Sequence, residues 1–171
     1  MNVNILTYSN APKVRRDNAE ALAKQLGGEV YVGGRNCAEN VLGILNKSKN
    51  EGTFFIEDDA IITDLSGFQE YIDTLPDTLI NFYYPEVERI QLLQGSRYRH
   101  NVCLYIPKNI NAMLRYDYNN YVTQMSYSNN RNAFATYFMY VLHAHNKEFL
   151  AIPPTISGVS YHKEWGSTIN G

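Results

Sequence analysis

Three consecutive carboxylates stand in the first half of the sequence, directly after a short apolar run. Glu57, Asp58 and Asp59 follow residues 53–56, which read Thr-Phe-Phe-Ile. Carboxylates packed together raise one another's pKa, and they cost stability unless a cation or hydrogen-bond donors compensate. The cluster therefore indicates either a cation-binding site or an acidic turn that is fully solvated.

The spacing within the cluster is suited to a metal ion. Side chains alternate along an extended chain, so Glu57 and Asp59 should point to one side and Asp58 to the other. Two carboxylates on one side can bind a hard divalent cation such as Mg²⁺ or Mn²⁺, which keeps coordination positions open for phosphate oxygens. From spacing alone, a solvated acidic turn at the end of a strand stays an equal alternative.

The elements that must position this cluster alternate between strand and helix. Short apolar runs predict strands over residues 3–8, 29–32 and 53–56, and helical spacing predicts helices over 13–26 and 37–45. This alternation is typical of a parallel sheet with helices on its faces, and such sheets bind ligands beyond the carboxyl ends of their strands. The acidic cluster is predicted to lie at that edge.

The second half of the sequence is less regular but contains patterns of the same two kinds. We expect three helices and three strands there, over residues 67–75, 109–115 and 132–145 and over residues 79–84, 102–106 and 149–152 respectively. No repeat, linker or low-complexity segment divides the chain. The sequence therefore predicts an α/β fold, with one domain over residues 1–171 and a mixed, mainly parallel central sheet flanked by helices.

The bulk composition is that of a globular protein. A net charge of -2 supplies no long-range attraction to nucleic acid or anionic membranes, so phosphate binding must be local. No run approaches the length of a membrane span, and the N-terminus lacks a signal-peptide pattern. With only Cys37 and Cys103, neither disulfides nor zinc are indicated. We expect a location in the cytoplasm of a bacterial or phage-infected cell.

The acidic run also resembles a known motif. Residues 53–60, Thr-Phe-Phe-Ile-Glu-Asp-Asp-Ala, are similar to the metal-binding motif of glycosyltransferases with the GT-A fold, especially the "LEDD" form of bacterial lipooligosaccharide glycosyltransferases and their collagen galactosyltransferase relatives. Weaker similarities follow in the same order along the chain. They cover residues 13–17, 103–107 with 112–114, 153–156 and 167–169. Where these enzymes carry an acidic residue beside a late helix, this sequence has Asn130-Arg131-Asn132.

The resemblance implies a GT-A-like (Rossmann-like) domain that transfers a hexose or pentose from a nucleotide-sugar donor, UDP-linked by analogy, with Mn²⁺ or Mg²⁺ as cofactor. Asp59 would be the direct metal ligand, and Glu57 would reach the metal-bound water or the ribose, with Asp58 nearby. His162 would be a second protein ligand, because the family pattern returns a C-terminal histidine to the metal. A surface histidine with an ordinary hydrogen bond is the alternative for His162.

Further residues have the chemistry to bind the nucleotide. Thr7, Tyr8 and Ser9 lie at the end of the first predicted strand and in the turn that follows, and they offer hydroxyls and an aromatic ring. Arg15 and Arg16 could approach the pyrophosphate, or they could lie on a solvated helix face. Asn36 begins the helix before the acidic strand, where it could contact the donor or simply cap the helix.

The catalytic base and the acceptor are less defined. An inverting transfer needs a group that takes the acceptor hydroxyl's proton, and Asp117 is the first candidate, followed by His100 and Glu86. A retaining transfer needs none. The acceptor is expected to be a glycan or a lipid-linked glycan.

Three alternatives remain open at the level of the sequence. The first is a phage-type glycosyltransferase that acts on modified DNA bases, with the cluster Arg97-Tyr98-Arg99-His100 contacting the nucleic acid. The second is a non-catalytic domain of the same fold that binds a nucleotide or a protein partner. The third, a metal-dependent phosphoesterase, normally needs more acidic ligands than the sequence offers.

Overall fold

A computed structural model describes residues 2–166, and its first half follows the alternation of strand and helix that the sequence predicts. Strand and helix alternate through five elements: β1 (Asn2–Tyr8), α1 (Lys13–Leu26), β2 (Glu29–Gly33), α2 (Cys37–Lys47) and β3 (Thr53–Glu57). Local sequence signals set these bounds. Gly27 ends α1 in the left-handed conformation that glycine adopts without strain, and the side chain of Asn36 caps α2 by accepting from the Glu39 amide.

The second half consists of shorter elements. They are β4 (Ala60–Ile61), α3 (Gln69–Thr74), β5 (Ile80–Asn81), β6 (Gln91–Gln94), β7 (Cys103–Ile106), α4 (Lys108–Gln124), α5 (Phe134–Ala144), β8 (Glu148–Ala151), α6 (Pro154–Ser157) and β9 (Ser160–Tyr161). Short 3₁₀ turns precede α3, follow β6 and follow β9.

A seven-stranded sheet forms the centre, in the order β2-β1-β3-β7-β5-β8-β6. The pairings make five of these strands run in one direction, with β7 and β6 opposed to them. The sheet is therefore mixed and mainly parallel, as the sequence predicts. A separate two-stranded sheet pairs β4 with β9 in antiparallel register.

Helices cover both faces of the central sheet. Residues of α1 and α3 pack on one face with Phe54 and Ile56, whereas residues of α2, α4 and α5 pack on the other face with Phe55. Successive residues of β3 thus enter different cores, which explains why residues 53–56 are apolar without interruption.

Three details of the second half differ from the sequence prediction. Helix α4 continues to Gln124 rather than ending at Arg115, because Tyr121 is fully buried against Tyr137 of α5 and the tertiary contact outweighs the polar local sequence. Strand β5 is limited to two residues, since the Asn81 side chain accepts the amide of Tyr83 and turns the chain. The edge strand β6 is unpredicted, because only Leu93 of its four residues is buried.

Across residues 2–166, no helix combines the length and the apolar character that crossing a lipid bilayer requires. Both cysteines are free thiols.

Candidate functional site

The acidic cluster lies at a reversal in the order of the strands. Strand β1 sits between β2 and β3, and the helices that follow β1 and β2 pack on opposite faces of the sheet. A crevice opens beyond the carboxyl ends of the strands at such a switch point, and ligands of open α/β sheets bind there. Tyr8 ends β1 and Glu57 ends β3, so both residues stand at this crevice.

Asp58 turns away from the crevice and is buried against α1. Its Oδ1 lies 2.7 Å from Nη1 of Arg15, and its Oδ2 accepts a hydrogen bond of 2.8 Å from the Thr7 hydroxyl. The Asn18 amide donates to the carbonyl oxygens of Asp58 and Ala60. These four contacts fix the backbone of the acidic turn. Thr7 and Asp58 are thus framework residues of the site.

Glu57 and Asp59 face a cavity of about 730 Å³, on the side of the chain that alternation predicts. Arg15 Nη1 lies 3.3 Å from Asp59 Oδ2, while Asp59 Oδ1 is buried without a hydrogen-bond partner among residues 2–166. Burial, followed by repulsion from Asp59 and Asp58, raises the pKa of Glu57 to about 8. Burial also raises the pKa of Asp59, although Arg15 opposes that effect. The site is therefore short of positive charge.

The donor set agrees in part with a divalent cation. Carboxylate oxygens suit Mg²⁺ and Mn²⁺, and the unpartnered Asp59 Oδ1 has an unsatisfied lone pair. However, no three side chains of His, Cys, Asp or Glu within the described part of the chain converge closely enough to hold a metal ion. A cation here would complete its coordination with water and with phosphate oxygens of a ligand, as Mg²⁺ commonly does.

The C-terminal segment returns to the acidic turn. Strand β9 pairs with β4, directly after Asp59, and the backbone amide of His162 donates a hydrogen bond of 2.9 Å to the Asp59 carbonyl. His162 lines the cavity. Its ring stacks on Trp165, and its Nδ1 lies 2.9 Å from Oε1 of Glu164. The structure thus brings His162 to the acidic turn across about one hundred residues of sequence.

The rest of the cavity wall is cationic, aromatic and rich in amides. Arg35 and Lys163 contribute positive charge in addition to Arg15, and Tyr8, Phe134 and Tyr161 contribute rings. Four asparagines add amide groups: Asn101, Asn129, Asn130 and Asn132. Acids at one wall with cations and amides around them can bind a ligand that carries both phosphates and hydroxyl groups.

The residues expected to bind the nucleotide are separated by the fold. Tyr8 and Arg15 line the cavity, whereas Thr7 holds Asp58. Ser9 lies in an exposed turn, and its backbone amide donates a hydrogen bond to the Gly33 carbonyl. Arg16 is exposed, donates from Nε to the Ala11 carbonyl and does not line the cavity.

Asn36 acts as a helix cap rather than as a cavity residue. It caps α2, and its Nδ2 donates to Oδ1 of Asn132 over 3.0 Å. The Asn132 carbonyl in turn accepts from the Ala38 amide. Asn36 therefore supports the site indirectly, by tying the loop at residues 129–133 to the start of α2.

The three expected base candidates lie outside the cavity wall. Asp117 is carried on α4, where its Oδ2 pairs with Nε2 of His145. His100 and Glu86 pair with each other, with Nε2 2.7 Å from Oε1, and the neighbouring Asn101 lines the cavity. The course of α4 therefore places Asp117 beside His145 and outside the cavity wall, whereas His100 directly precedes the wall residue Asn101 in the sequence.

The basic and aromatic cluster at residues 97–100 is not a stacking platform. Tyr98 is 3% exposed, and its ring packs on Phe138 and Phe149. The aromatic rings that line the cavity belong instead to Tyr8, Phe134 and Tyr161.

Sequence reasoning missed several wall residues. Arg35 and Cys37 follow the carboxyl end of β2, so the rule that ligands gather at strand ends could have found them. The asparagines between positions 129 and 132 give no such signal, because they lie in a loop that precedes α5. Cys37 Sγ lies 3.3 Å from the Tyr8 hydroxyl, and burial raises the pKa of its thiol.

No protein-family model matches the sequence, and no curated protein matches it. Among solved structures, this chain is similar to the crystal structure of A197 from STIV, with a TM-score of 0.53 and 11% sequence identity. The similarity covers 90% of this chain and 82% of that chain. At this identity the comparison concerns the fold alone. Residues 167–169, the last segment that is similar to glycosyltransferases with the GT-A fold in sequence, lie outside the described residues.

Proposed function

We propose that this chain is a metal-dependent glycosyltransferase of the GT-A kind, which moves a sugar from a UDP-linked donor to an acceptor hydroxyl. The observation that supports it best is the pair of cavity-facing carboxylates, Glu57 and Asp59, at the strand-order reversal of a mixed α/β sheet. The similarity of residues 53–60 to the acidic motif of such enzymes supports the same assignment.

The balance of charges favours a divalent cation together with a diphosphate. Glu57, Asp58 and Asp59 carry three negative charges when ionised, and Arg15 compensates one, which leaves two. A bound Mn²⁺ or Mg²⁺ supplies a Lewis acid that stabilises negative charge on the leaving nucleoside diphosphate. Asp59 is the direct ligand in this proposal, with Glu57 and His162 beside it.

The chain's own side chains would position the donor. Arg35 and Lys163 are the exposed cations of the cavity wall and would attract phosphate oxygens. The ring of Tyr8 would contact the nucleobase, and the amides of Asn130 and Asn132 would hydrogen-bond to hydroxyl groups of the ribose or the sugar. Because the wall surrounds the acids, the donor would exclude water from the carboxylates as it binds.

The acceptor in this proposal is a glycan or a lipid-linked glycan. An inverting transfer needs a base near the acceptor hydroxyl. His100 directly precedes the wall residue Asn101 and pairs with Glu86, whereas Asp117 is engaged with His145, so we favour His100 and Glu86 for that role. A retaining transfer would leave the pair without a catalytic part.

A thermal-shift titration with UDP-glucose, UDP-galactose and GDP-mannose, each with and without Mn²⁺, tests the proposal. A ligand at 100 times its dissociation constant stabilises a fold by about 2.7 kcal/mol. We expect one UDP-sugar to do so only with Mn²⁺, and Asp59→Asn to remove the effect. Glu70→Gln, an exposed acid on α3, is the matched control. Stabilisation that is equal in Asp59→Asn would contradict the assignment.

A non-catalytic nucleotide-binding domain is the second candidate, because no three protein ligands converge within residues 2–166. Release of UDP from the stabilising donor separates the two functions, since a binding module releases none. The burial of Tyr98 weakens the alternative of a glycosyltransferase that acts on modified DNA bases. Binding to duplex DNA that weakens steeply with salt would support that alternative.

We also place the protein in the cytoplasm of a bacterial or phage-infected cell. The free thiols of Cys37 and Cys103 accord with a reducing compartment. Nucleotide-sugar donors would be present in that compartment.

A further inference from the structure

His162 is held by two neighbours that no proposed catalytic role requires. Its ring lies 3.9 Å from the Trp165 ring between centroids, with the planes 15° apart, so the two rings stack. Its Nδ1 lies 2.9 Å from Oε1 of Glu164. Its backbone amide is bonded to the Asp59 carbonyl. A surface histidine with no function does not need a fixed backbone, a fixed ring plane and a fixed ring nitrogen.

The contact with Glu164 determines which ring nitrogen carries the proton. An ionised carboxylate only accepts hydrogen bonds, so Nδ1 must be the donor. In the neutral imidazole, Nε2 is then the nitrogen with a free lone pair. Histidines that bind metals in proteins almost always donate a hydrogen bond from their second ring nitrogen to a carboxylate, a backbone carbonyl or water, because the contact fixes both the tautomer and the orientation.

We infer that Glu164 and Trp165 are positioning residues, which hold His162 in the Nδ1–H tautomer so that Nε2 can serve as a ligand of the divalent cation. This inference rests on the proposed function. Glu57, Asp59 and His162 line the same cavity. Because no three ligands converge among residues 2–166, we expect His162 to complete the set only when UDP and the cation are both bound.

The tautomer can be measured in the metal-free protein. Two-bond ¹⁵N–¹H correlation spectra of the His162 ring should show the Nδ1–H form in the natural protein. Glu164→Gln keeps an accepting oxygen and should retain that form, whereas Glu164→Leu should lose it. Glu164 is exposed, so neither change should prevent folding. An Nε2–H ring in the natural protein would overturn the inference.

The affinity for Mn²⁺ in the presence of UDP gives the second readout. Loss of a positioning contact to a metal ligand typically costs 10-fold to 100-fold in metal affinity, so we expect that loss in Glu164→Leu and in Trp165→Ala. Trp165→Phe should restore binding, because it keeps a stacking face. Glu20→Leu, an exposed acid on α1, is the control and should bind as the natural protein does.

Pulsed electron paramagnetic resonance of bound Mn²⁺ identifies the ligand itself. We expect a nitrogen coupling in the natural protein that disappears in His162→Gln, and no additional loss of affinity when Glu164→Leu is combined with it. Binding of Mn²⁺ and UDP without a nitrogen coupling would overturn this inference alone. Failure to bind either Mn²⁺ or UDP would overturn the proposed function as well.

Discussion

Arg15 and Asp58 form an ion pair of 2.7 Å between side chains that are only 4% and 1% exposed. Removing one partner of such a pair leaves an uncompensated charge in the interior, which typically costs 3–5 kcal/mol. The pair joins α1 to the acidic turn after β3, so it also sets the position of Asp59. Stability and site geometry therefore depend on the same contact.

We predict that Arg15→Met lowers the free energy of unfolding by about 3–5 kcal/mol, because Asp58 stays buried without its cation. Urea unfolding followed by circular dichroism measures the loss. The exposed neighbour Arg16→Met is the control and should change the free energy by no more than about 0.5 kcal/mol. The double variant Arg15→Met/Asp58→Leu should be more stable than Arg15→Met alone. Equal losses in Arg15→Met and Arg16→Met would refute the role of the pair.

Two adjacent glycines give a matched pair of substitutions at the end of β2. A Cβ added at Gly33 would lie 2.3 Å from Cγ of Asn40, whereas a Cβ at Gly34 would meet no atom within 4 Å. Asn40 cannot withdraw freely, because its side chain exchanges two hydrogen bonds with the Gly34 backbone, of 3.0 and 2.9 Å. The turn that leads to Arg35 and Cys37 therefore depends on the absence of a side chain at Gly33.

We predict that Gly33→Ala lowers the free energy of unfolding by about 1–3 kcal/mol, the usual cost of overpacking, and that Gly34→Ala changes it by less than about 0.5 kcal/mol. Chemical denaturation of the two variants in parallel checks this. A Gly34→Ala variant as unstable as Gly33→Ala would show that the backbone of the turn, and not the contact with Asn40, limits both positions.

The first half of the fold was predictable because its signals are local. Helix α1 has the predicted bounds, since its apolar spacing and Gly27 both lie within the helix and its cap. Glu57 and Asp59 line the same cavity, as alternation along an extended chain predicts, although Asp59 lies in the turn after β3. The resemblance implies that Asp58 lies near the metal, but its burial against Arg15 depends on how α1 packs, which no local pattern encodes.

The rest of the site depends on long-range contacts. The approach of His162 to Asp59 requires the pairing of β9 with β4, two strands of two residues each, which are too short to give a periodic signal. The loop at residues 129–133 reaches the cavity because the side chain of Asn132 is hydrogen-bonded to Asn36 at the start of α2. The pairing of Asp117 with His145 is not predicted for the same kind of reason, because it depends on the continuation of α4 well beyond its predicted end.

The raised pKa of Glu57 predicts a stability that depends on pH. Because the folded-state pKa of about 8 lies above the ordinary value, the folded protein binds an extra proton between about pH 4.3 and pH 8. This contribution to the free energy of unfolding is complete below the pKa that Glu57 has in the unfolded chain, and it is lost as the pH rises through about 8. The free energy of unfolding should fall by at most about 1.4 kcal/mol per pH unit for one proton.

Urea titrations of the metal-free protein at intervals from pH 5 to pH 9 measure this slope. The free energy of unfolding of Glu57→Gln should depend less on pH over that window than that of the natural protein, because the amide does not titrate. Added Mn²⁺ with UDP should stabilise more at high pH, since a cation bound beside Glu57 would favour the ionised form of that carboxylate. Identical slopes in the two proteins would show that Glu57 is already ionised at neutral pH.

Cys37 provides a chemical probe of the cavity. Its thiol is half-buried at the cavity wall beside the Tyr8 hydroxyl, whereas Cys103 is fully buried in β7. The thiolate is the reactive form, and burial raises the pKa of Cys37, so alkylation by iodoacetamide should be slow and should accelerate with rising pH. We predict that UDP with Mn²⁺ slows alkylation of Cys37 further, because the bound nucleotide covers the wall.

Mass spectrometry of tryptic peptides, taken at intervals during alkylation, follows each cysteine separately. Cys103 should stay unmodified in the folded protein, and Cys37→Ser should take up no label. The protection should require both UDP and Mn²⁺, since in the proposed function the cation would hold the diphosphate against Asp59. Adenosine, which lacks phosphates, is the control ligand and should not protect. An alkylation rate of Cys37 that is the same with and without UDP and Mn²⁺ would mean that the nucleotide binds elsewhere, and that this cavity is not the donor site.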